Sequence, residues 1–479
     1  METNKPIIIM KKTLILITMA LMAATPKTMA QENDPDSKYI RNSLYMIKLD
    51  CPPDNPKYKI AYDDIDKIYD GIDFGTRYER YNNFSLSERH LDFVKMPKIQ
   101  ESEYEALNAY NKTDKPFIVP CDDYKQANDQ VIKTMNDLGL NPDTVREEIY
   151  AGTLVKYFIE HAFGNKLVAK WHNKPGTKEG VADFDENLST IMELGLRGLS
   201  EEAKANAKAG ENLTNIVAGS ENKLLNNTYI CVTRYYYANA EEFNATFIEP
   251  LKRKLEKSDN LLVSAALKGA IEAATSSLKG YFVSVNAYLF RLEWNKDLYN
   301  DFYTNKWNDP KKFFDTSNYK LIYVGRSGKR VPASLSMKRD ANDAELLRRA
   351  VVRSTDAAFA ALQRDYEEFR PMSSLHVIDG KLAAYIGTKE GIKEGDKFEV
   401  FEAVVSEEDP NMIDWKPVGK IKVAKKGLWD NREGAGQPIE GRAYDKKEEQ
   451  SGNSSLKCTF FEGKVGKLGE GNLIRLVGK

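Results

Sequence analysis

Three glycines, Gly387, Gly391 and Gly395, fall four residues apart in the stretch AAYIGTKEGIKEGDKFEVFE, among lysines and ahead of a strand-like run. Glycine and lysine after a strand are the materials of a phosphate cradle, in which backbone N–H groups and an ammonium close on an anion. A Walker loop requires Gly-x4-Gly-Lys-Ser/Thr leading into a helix, and a dinucleotide fingerprint requires Gly-x-Gly-x-x-Gly opening one. The spacing here is neither. Lys397, Glu399 and Phe401 alternate with Phe398 and Val400, which predicts a strand after the glycines. Gly391 and Gly395 are therefore expected to be turn residues. GKLGEGNLIRLV repeats the device, with glycine and Asn472 just before a strand-like run. YVGRSGKR also follows a strand, but Val331-Pro332 bars the helix that a phosphate loop needs.

Other chemistry-bearing types form no established pattern. The four histidines, His90, His161, His172 and His376, show neither the helical pairing of a zinc protease nor a cysteine-rich neighbourhood. Asp183, Asp185 and Asn187 imitate the start of a calcium loop, but Leu188 and Leu194 stand where its glycine and bidentate glutamate belong. No Gly-x-Ser-x-Gly elbow occurs, and no carboxylate pair is singled out for glycoside chemistry. No catalytic residue, metal site or cofactor is expected.

Two tryptophan clusters are the candidates for binding. LVAKWHNKPG carries Trp171 and His172 at the end of an apolar run. GLWDNREG presents Trp429, Asp430, Asn431 and Arg432 in an expected turn. A tryptophan flanked by polar groups suits a partner or glycan contact. The same residue also serves to close the edge of a small core.

The N-terminus carries an address. MKKTLILITMALMAATPKTMA, Met10 to Ala30, has a positive end at Lys11 and Lys12, and an apolar run from Leu14 to Ala24. Thr28-Met29-Ala30 is a small-x-small cleavage site. The run is short for a stable bilayer anchor. Residues 1–30 are expected to be a signal peptide, with the mature chain starting near Gln31. The protein would then be periplasmic, outer-membrane-associated or secreted. No cysteine follows closely, which argues against a lipid anchor. Lys+Arg 70 against Asp+Glu 71 gives −1. Without the four lysines and one glutamate of residues 1–30 the balance is 66 to 70, or −4. Neither balance suggests a nucleic-acid partner. Export permits disulfides among Cys51, Cys121, Cys231 and Cys458, with Cys51–Cys121 one pairing and Cys231 a buried thiol in an apolar run.

The elements that would position these residues fall into three parts. Residues 31–215 are mixed α/β, with a strand at Ser43–Leu49 and a helix at Asp122–Leu140. A second helix, REEIYAGTLVKYFIEHAFG, is stopped by its glycine. Residues 216–372 form an α/β layer. It has strands at Leu224–Ala238, Tyr281–Trp294 and Tyr319–Ser327, and between the first two a stretch helical by composition in which Pro250 marks a start or a kink. A closing helix carries the stripe Leu347, Ala350, Val351, Ser354, Ala358, Ala361, Leu362 and Phe369. The stretch LLVSAALKGAIEAATSSLKG, with Lys268 and Glu272 central, is expected to be an amphipathic helix and not a membrane span, since each charge near mid-bilayer costs roughly 2.5–3.5 kcal/mol. Residues 373–479 read as short strands and turns, a small all-β barrel or sandwich. The fold class is α+β and multidomain.

Several strings together resemble a family of exported, functionally uncharacterised Bacteroidetes proteins: RNSLYMI, LVAKWHN, LLNNTYICVTRYYY, LFRLEWN, YKLIYVGRS, LLRRAVVRSTDAAFAALQRDYEEFR, IGTKEGIKEGDKFEVFE and LWDNR. The turn and strand at Gly391–Val400 resemble, more distantly, those of envelope assembly proteins of the curli-secretion lipoprotein and flagellar T-ring type. The resemblance implies export and this order of parts, with no catalytic residue to carry over. The expectation is a cell-envelope protein that acts by binding or assembly, on envelope proteins or surface polymers, with no integral span in its mature chain. A secreted hydrolase of glycans or peptides with a dispersed site is the alternative.

Overall fold

The computed structural model describes residues 39–40, 43–52, 59–77, 86–111, 142–174, 176–184, 224–238, 249–256, 264–265, 268, 282–314, 319–327, 331–334, 343–405, 413–436 and 452–478. Its strands are β1 (Tyr39–Ile40), β2 (Ser43–Asp50), β3 (His90–Asp92), β4 (Thr228–Ala238), β5 (Phe282–Leu292), β6 (Leu321–Arg326), β7 (Val331–Ser334), β8 (Met372–Ser374), β9 (His376–Ile378), β10 (Lys381–Ala384), β11 (Lys397–Val405), β12 (Ile413–Val423), β13 (Thr459–Glu462) and β14 (Leu473–Leu476). Its helices are α1 (Lys59–Asp70), α2 (Phe74–Arg77), α3 (Tyr104–Asn111), α4 (Pro142–Glu160), α5 (Phe163–His172), α6 (Glu249–Glu256), α7 (Lys296–Asp301), α8 (Pro310–Phe314) and α9 (Asp343–Asp365). The fold is α+β.

The first sheet runs β3-β2-β4-β5-β6, with β7 also paired to β5. β2 is parallel to β3 and β4, and the rest is antiparallel. Strand alternation splits its side chains between two cores. Tyr45, Ile47, Ile230, Val232, Tyr288 and Phe290 face α4 and α5, where Leu154, Phe158, Phe163 and Leu167 meet them. Leu44, Met46, Cys231, Val283, Val285 and Leu289 face α1 and α9, against Ile65, Tyr69, Ala350, Val351 and Leu362. The alternation expected for Tyr281–Trp294 is present, with Val283, Val285, Ala287 and Leu289 on one side and Tyr288, Phe290 and Trp294 on the other. Strands from both sides of the boundary drawn at residue 215 share this sheet.

The second sheet is antiparallel, in the order β1-β8-β14-β11-β12-β13-β10-β9. β8 and β9 lie far apart in that order, yet only Leu375 separates them in the chain. The chain thereby draws the sheet's ends together, and seven strands form a nearly closed, barrel-like sheet. Leu382, Phe398, Val400, Ile421, Val423, Phe461 and Ile474 fill it.

Several expectations change. The helix through Ile149 and Phe158 ends at Glu160, not at Gly164. Ala162 takes the left-handed conformation (φ 50°), and Gly164 lies in the first turn of α5. Leu224–Asn226 form a helical turn ahead of β4, so the strand begins at Thr228. The stripe expected for the closing helix is buried, at Leu347, Ala350, Val351, Ser354, Ala358 and Leu362, but its polar side is covered as well. Arg349 and Arg353 are buried like the apolar stripe because a turn of the barrel lies on them, and Asp356 is buried beneath Arg77 of α2. The signal peptide, the helix at Asp122–Leu140 and most of Leu261–Gly280 lie outside the described residues. Among those that are described, no helix is long and apolar enough to cross a membrane. Cys231 and Cys458 are free thiols, and burial pushes the Cys231 thiol far up; Cys121, and with it the Cys51–Cys121 pairing, lies outside the described residues.

Gly391 and Gly395 have φ of +73° and +79° and lead into β11 through a turn. Only glycine occupies that region without steric cost. Gly395→Val is therefore expected to destabilise the protein by about 1–2 kcal/mol, read by denaturant unfolding. A variant as stable as the parent contradicts the turn reading. So does nucleotide binding that a substitution abolishes without changing the melting temperature.

Candidate functional site

The chain segment after β5 builds an aromatic surface. Asn295 caps α7 by accepting from the N–H groups of Asp297 and Leu298. The backbone then takes one π-type turn, Phe302–Lys306, closed by Trp307 N–H on the Phe302 carbonyl at 2.8 Å. Such turns are inserted where side chains need re-aiming and recur at functional sites. Here Phe302 and Lys306 are buried, while Tyr299, Tyr303 and Trp307 stay half-buried. Lys306 is paired with Asp301 at 2.5 Å. That hydrogen bond holds the Asp301 carboxyl below its usual range.

Trp307 is stacked between Tyr303, at 5.0 Å and 23°, and Phe184, at 5.2 Å and 28°. Tyr299 follows Tyr303 at 4.7 Å. Phe184 reaches this place because Asn173, at the end of α5, holds the returning loop. Its side chain donates to the Val181 carbonyl and accepts from Asp183 N–H, and its backbone bridges to Phe184. Beneath the layer lies His172, whose ring is 4.7 Å from that of Phe302 and 6.2 Å from those of Tyr303 and Trp307. The result is a half-exposed aromatic face fringed by Asn, Asp and Lys side chains. Its flat apolar surface and polar tips suit sugar rings or a partner's side chains.

Trp171 and His172 are therefore the floor of the face and not its surface. They are 4% and 1% exposed. Trp171 donates from Nε1 to Thr228 Oγ1 at 2.9 Å, and His172 from Nδ1 to the Val168 carbonyl at 2.8 Å. Neither can touch a partner directly. The helical spacing of Tyr299, Tyr303 and Trp307 in KDLYNDFYTNKW is the sequence signal that would have found the surface.

Trp429, Asp430 and Arg432 meet a different fate. They brace the Gly387–Gly391 turn, so the two glycine- and tryptophan-bearing motifs pack on each other. Thr388 donates to Asp430 Oδ1 at 2.8 Å, Lys389 N–H to Asn431 Oδ1 at 2.8 Å, and Thr388 N–H to the Trp429 carbonyl at 3.0 Å. Arg432 grips Asp430 with two bonds of 2.8 and 2.7 Å. Next in sequence, Glu433 takes Arg77 Nη1 at 3.0 Å and also pairs with Arg348, and its carbonyl accepts from Arg353 at 2.8 Å. The motif is the seam between the barrel and α9.

Burial raises the pKa of Asp430 and Glu433, but the Arg432 bonds to the first and the Arg348 and Arg77 pairs to the second outweigh it, so both are lowered. Folded-state values below the unfolded ones give stability that is present at neutral pH. It is lost as the pH falls through the usual carboxylate range, about 4. The melting temperature is expected to drop from about pH 5 downward, and Glu433→Gln to flatten that slope while lowering the neutral value. An unchanged slope in the variant removes Glu433 from the seam.

A third cluster was not legible from sequence. β2 and β3 end side by side, and α1 ends above them. His90 Nδ1 meets Asp50 at 3.0 Å and Nε2 meets Asp70 at 2.9 Å. Lys48, only 3% exposed, pairs with Asp50 and with Asp66 at 2.6 Å. An ionised carboxylate only accepts, so both contacts are hydrogen bonds only when the imidazole carries two protons. Asp183, from the calcium-like stretch, is paired with Lys174 at 2.8 Å; Asp185 and Asn187 lie outside the described residues. Among the described residues no cluster of His, Cys, Asp and Glu could hold a metal ion. No family model, no curated protein and no solved structure matches the chain.

Proposed function

We propose that the protein is exported into a Gram-negative cell envelope and acts there by binding or assembly, without catalysis of its own. In this reading an α/β layer presents the binding face, and the C-terminal barrel-like part is a second module locked to it. Partners are envelope proteins or surface polymers. Support for export comes from the Lys11–Lys12 end and the apolar run that follows. The observation that carries binding is the half-exposed aromatic face of Tyr299, Tyr303, Trp307 and Phe184 above His172. Large, stiff rings of this kind give contact area at small entropic cost.

The test is copurification of tagged protein from envelope fractions of its native host, with mass measurement of its N-terminus. The expected results are a chain starting at or near Gln31 and a partner set that shrinks in the folded Tyr299→Ser/Tyr303→Ser variant. An intact residue 1–30 segment in the cytosol sinks export. An identical partner set in the variant sinks the aromatic face.

One observation favours the hydrolase reading. His90 lies between Asp70, which ends α1, and Asp50, at the C-terminal end of parallel strand β2, the kind of strand end where α/β sheets place ligand crevices. Hydrolysis of envelope glycans or peptides that His90→Gln abolishes in a folded protein would establish it over binding.

A further inference from the structure

The glycine turn that fails as a phosphate cradle carries an unbalanced charge. Lys393 precedes Gly395, and Lys397 opens β11. Lys422 lies directly opposite Lys397 on β12, and Lys425 and Lys426 form the turn after it. All five lysines are exposed. The two turns are fastened together: Gly395 N–H donates to the Val423 carbonyl at 3.2 Å and Lys426 N–H to Glu394 Oε1 at 2.6 Å. Lys426 is held there in the left-handed conformation, φ +59°. Among the described residues none of the five ammonium groups is ion-paired. The nearby carboxylates are otherwise engaged or outnumbered. Asp396 belongs to Arg364 at 2.6 Å, Glu394 serves the Lys426 backbone, and Glu462 is the single carboxylate directly opposite Lys422, on β13, the strand away from Lys397.

Like charges facing each other across strands weaken a sheet. The Lys397–Lys422 pair sits in a chain whose net charge is −1, so it is not the by-product of a generally basic protein. We propose that this outward face of the barrel binds a linear acidic polysaccharide. Lysine offers compact, mobile point charges and not the bidentate fork that a single phosphate or carboxylate selects. Neighbouring strands lie about 4.8 Å apart and successive outward side chains about 7 Å apart, so the charges are spread out and no single small anion reaches them all. A polymer with repeated carboxylates does. A flat bilayer surface fits less well, because Glu394, Glu399 and Glu462 are interleaved with the lysines and would face its headgroups. The inference rests on the reading of the protein as a binder and names the class of surface polymer.

The experiment measures binding of the full chain to polygalacturonate at about 50 and about 200 mM salt. Counterion release predicts retention at the lower salt and roughly tenfold or greater weakening at the higher. Lys397→Gln/Lys422→Gln/Lys425→Gln should weaken low-salt binding roughly tenfold or more. Lys59→Gln/Lys67→Gln/Lys95→Gln, which removes the same charge from exposed lysines elsewhere, should change it less than about twofold. Equal losses in the two triples, or no binding at low salt, overturn the proposal. Flotation with phosphatidylglycerol vesicles that the first triple abolishes, without polygalacturonate binding, assigns the face to a membrane instead and also overturns it. None of these failures touches the copurification test, so the binding reading stands or falls separately.

Discussion

Arg77→Ala is expected to cost about 3–5 kcal/mol, among the largest losses available to a single substitution. Arg77 ends α2, a single turn, yet three parts of the protein meet on it. Nε and Nη2 bind both oxygens of Asp356 on α9 at 2.9 and 2.5 Å. Nη1 binds Glu433 from the barrel at 3.0 Å, and the Arg77 carbonyl accepts from Lys389 at 3.0 Å. Asp356 is only 3% exposed. Truncating the arginine leaves that carboxylate desolvated and without its bidentate partner, and a buried charge stripped of its counter-ion is far more costly than the pair is stabilising. Exposed pairs such as Lys67–Asp64 are worth about 1 kcal/mol or less and offer a contrast. A cycle separates the terms. Arg77→Met/Asp356→Leu removes both charges and should recover most of the loss, while each single change remains poor. Denaturant unfolding reads all four proteins. An Arg77→Ala midpoint equal to the parent's would show that the seam does not hold the barrel.

That seam marks where sequence reasoning ends. Local signals did well. The alternation in Phe282–Leu292, the positive-φ turns at Gly391 and Gly395 and the short strands of the last part follow from nearest-neighbour sterics and from which face meets a core. Meetings between distant segments were not legible. Arg77 and Asp356, or His90, Asp50 and Asp70, show no spacing that announces a contact, because tertiary packing sets their distances. The buried polar side of α9 has the same cause. Arg349, Arg353 and Asp356 fall outside the helix's apolar stripe, and it is the barrel's turn over the two arginines and Arg77 over the aspartate that bury them. Trp171 and Trp429 stand out in the sequence by type alone, and tryptophan serves cores and surfaces alike. What distinguishes them, the Thr228 partner of one and the glycine turn beneath the other, lies far along the chain.

Gly164→Ala tests the same limit from the opposite direction. In isolation the change is favourable, since alanine is about 1 kcal/mol better than glycine within a helix. At this position a Cβ would stand 1.8 Å from the Tyr319 carbonyl oxygen and 2.5 Å from its carbon. Neither is the loose end of a flexible side chain. Both are backbone just ahead of β6, and Tyr319 is itself buried against Trp294 and Phe313. The clash is relieved only if α5 moves, and α5 carries Leu167, Val168, Trp171 and His172 into the core beneath the aromatic face. Overpacking of this kind costs about 1–3 kcal/mol and more when backbone must shift, so it outweighs the propensity gain. The expected result is a net loss of about 2 kcal/mol or more in denaturant unfolding. It should come with an altered near-ultraviolet circular dichroism spectrum, because Trp171, Trp294 and Trp307 all report on that core. A neutral or stabilised Gly164→Ala protein would mean that α5 and β6 do not approach as closely as 1.8 Å requires. The glycine would then be an ordinary helix residue.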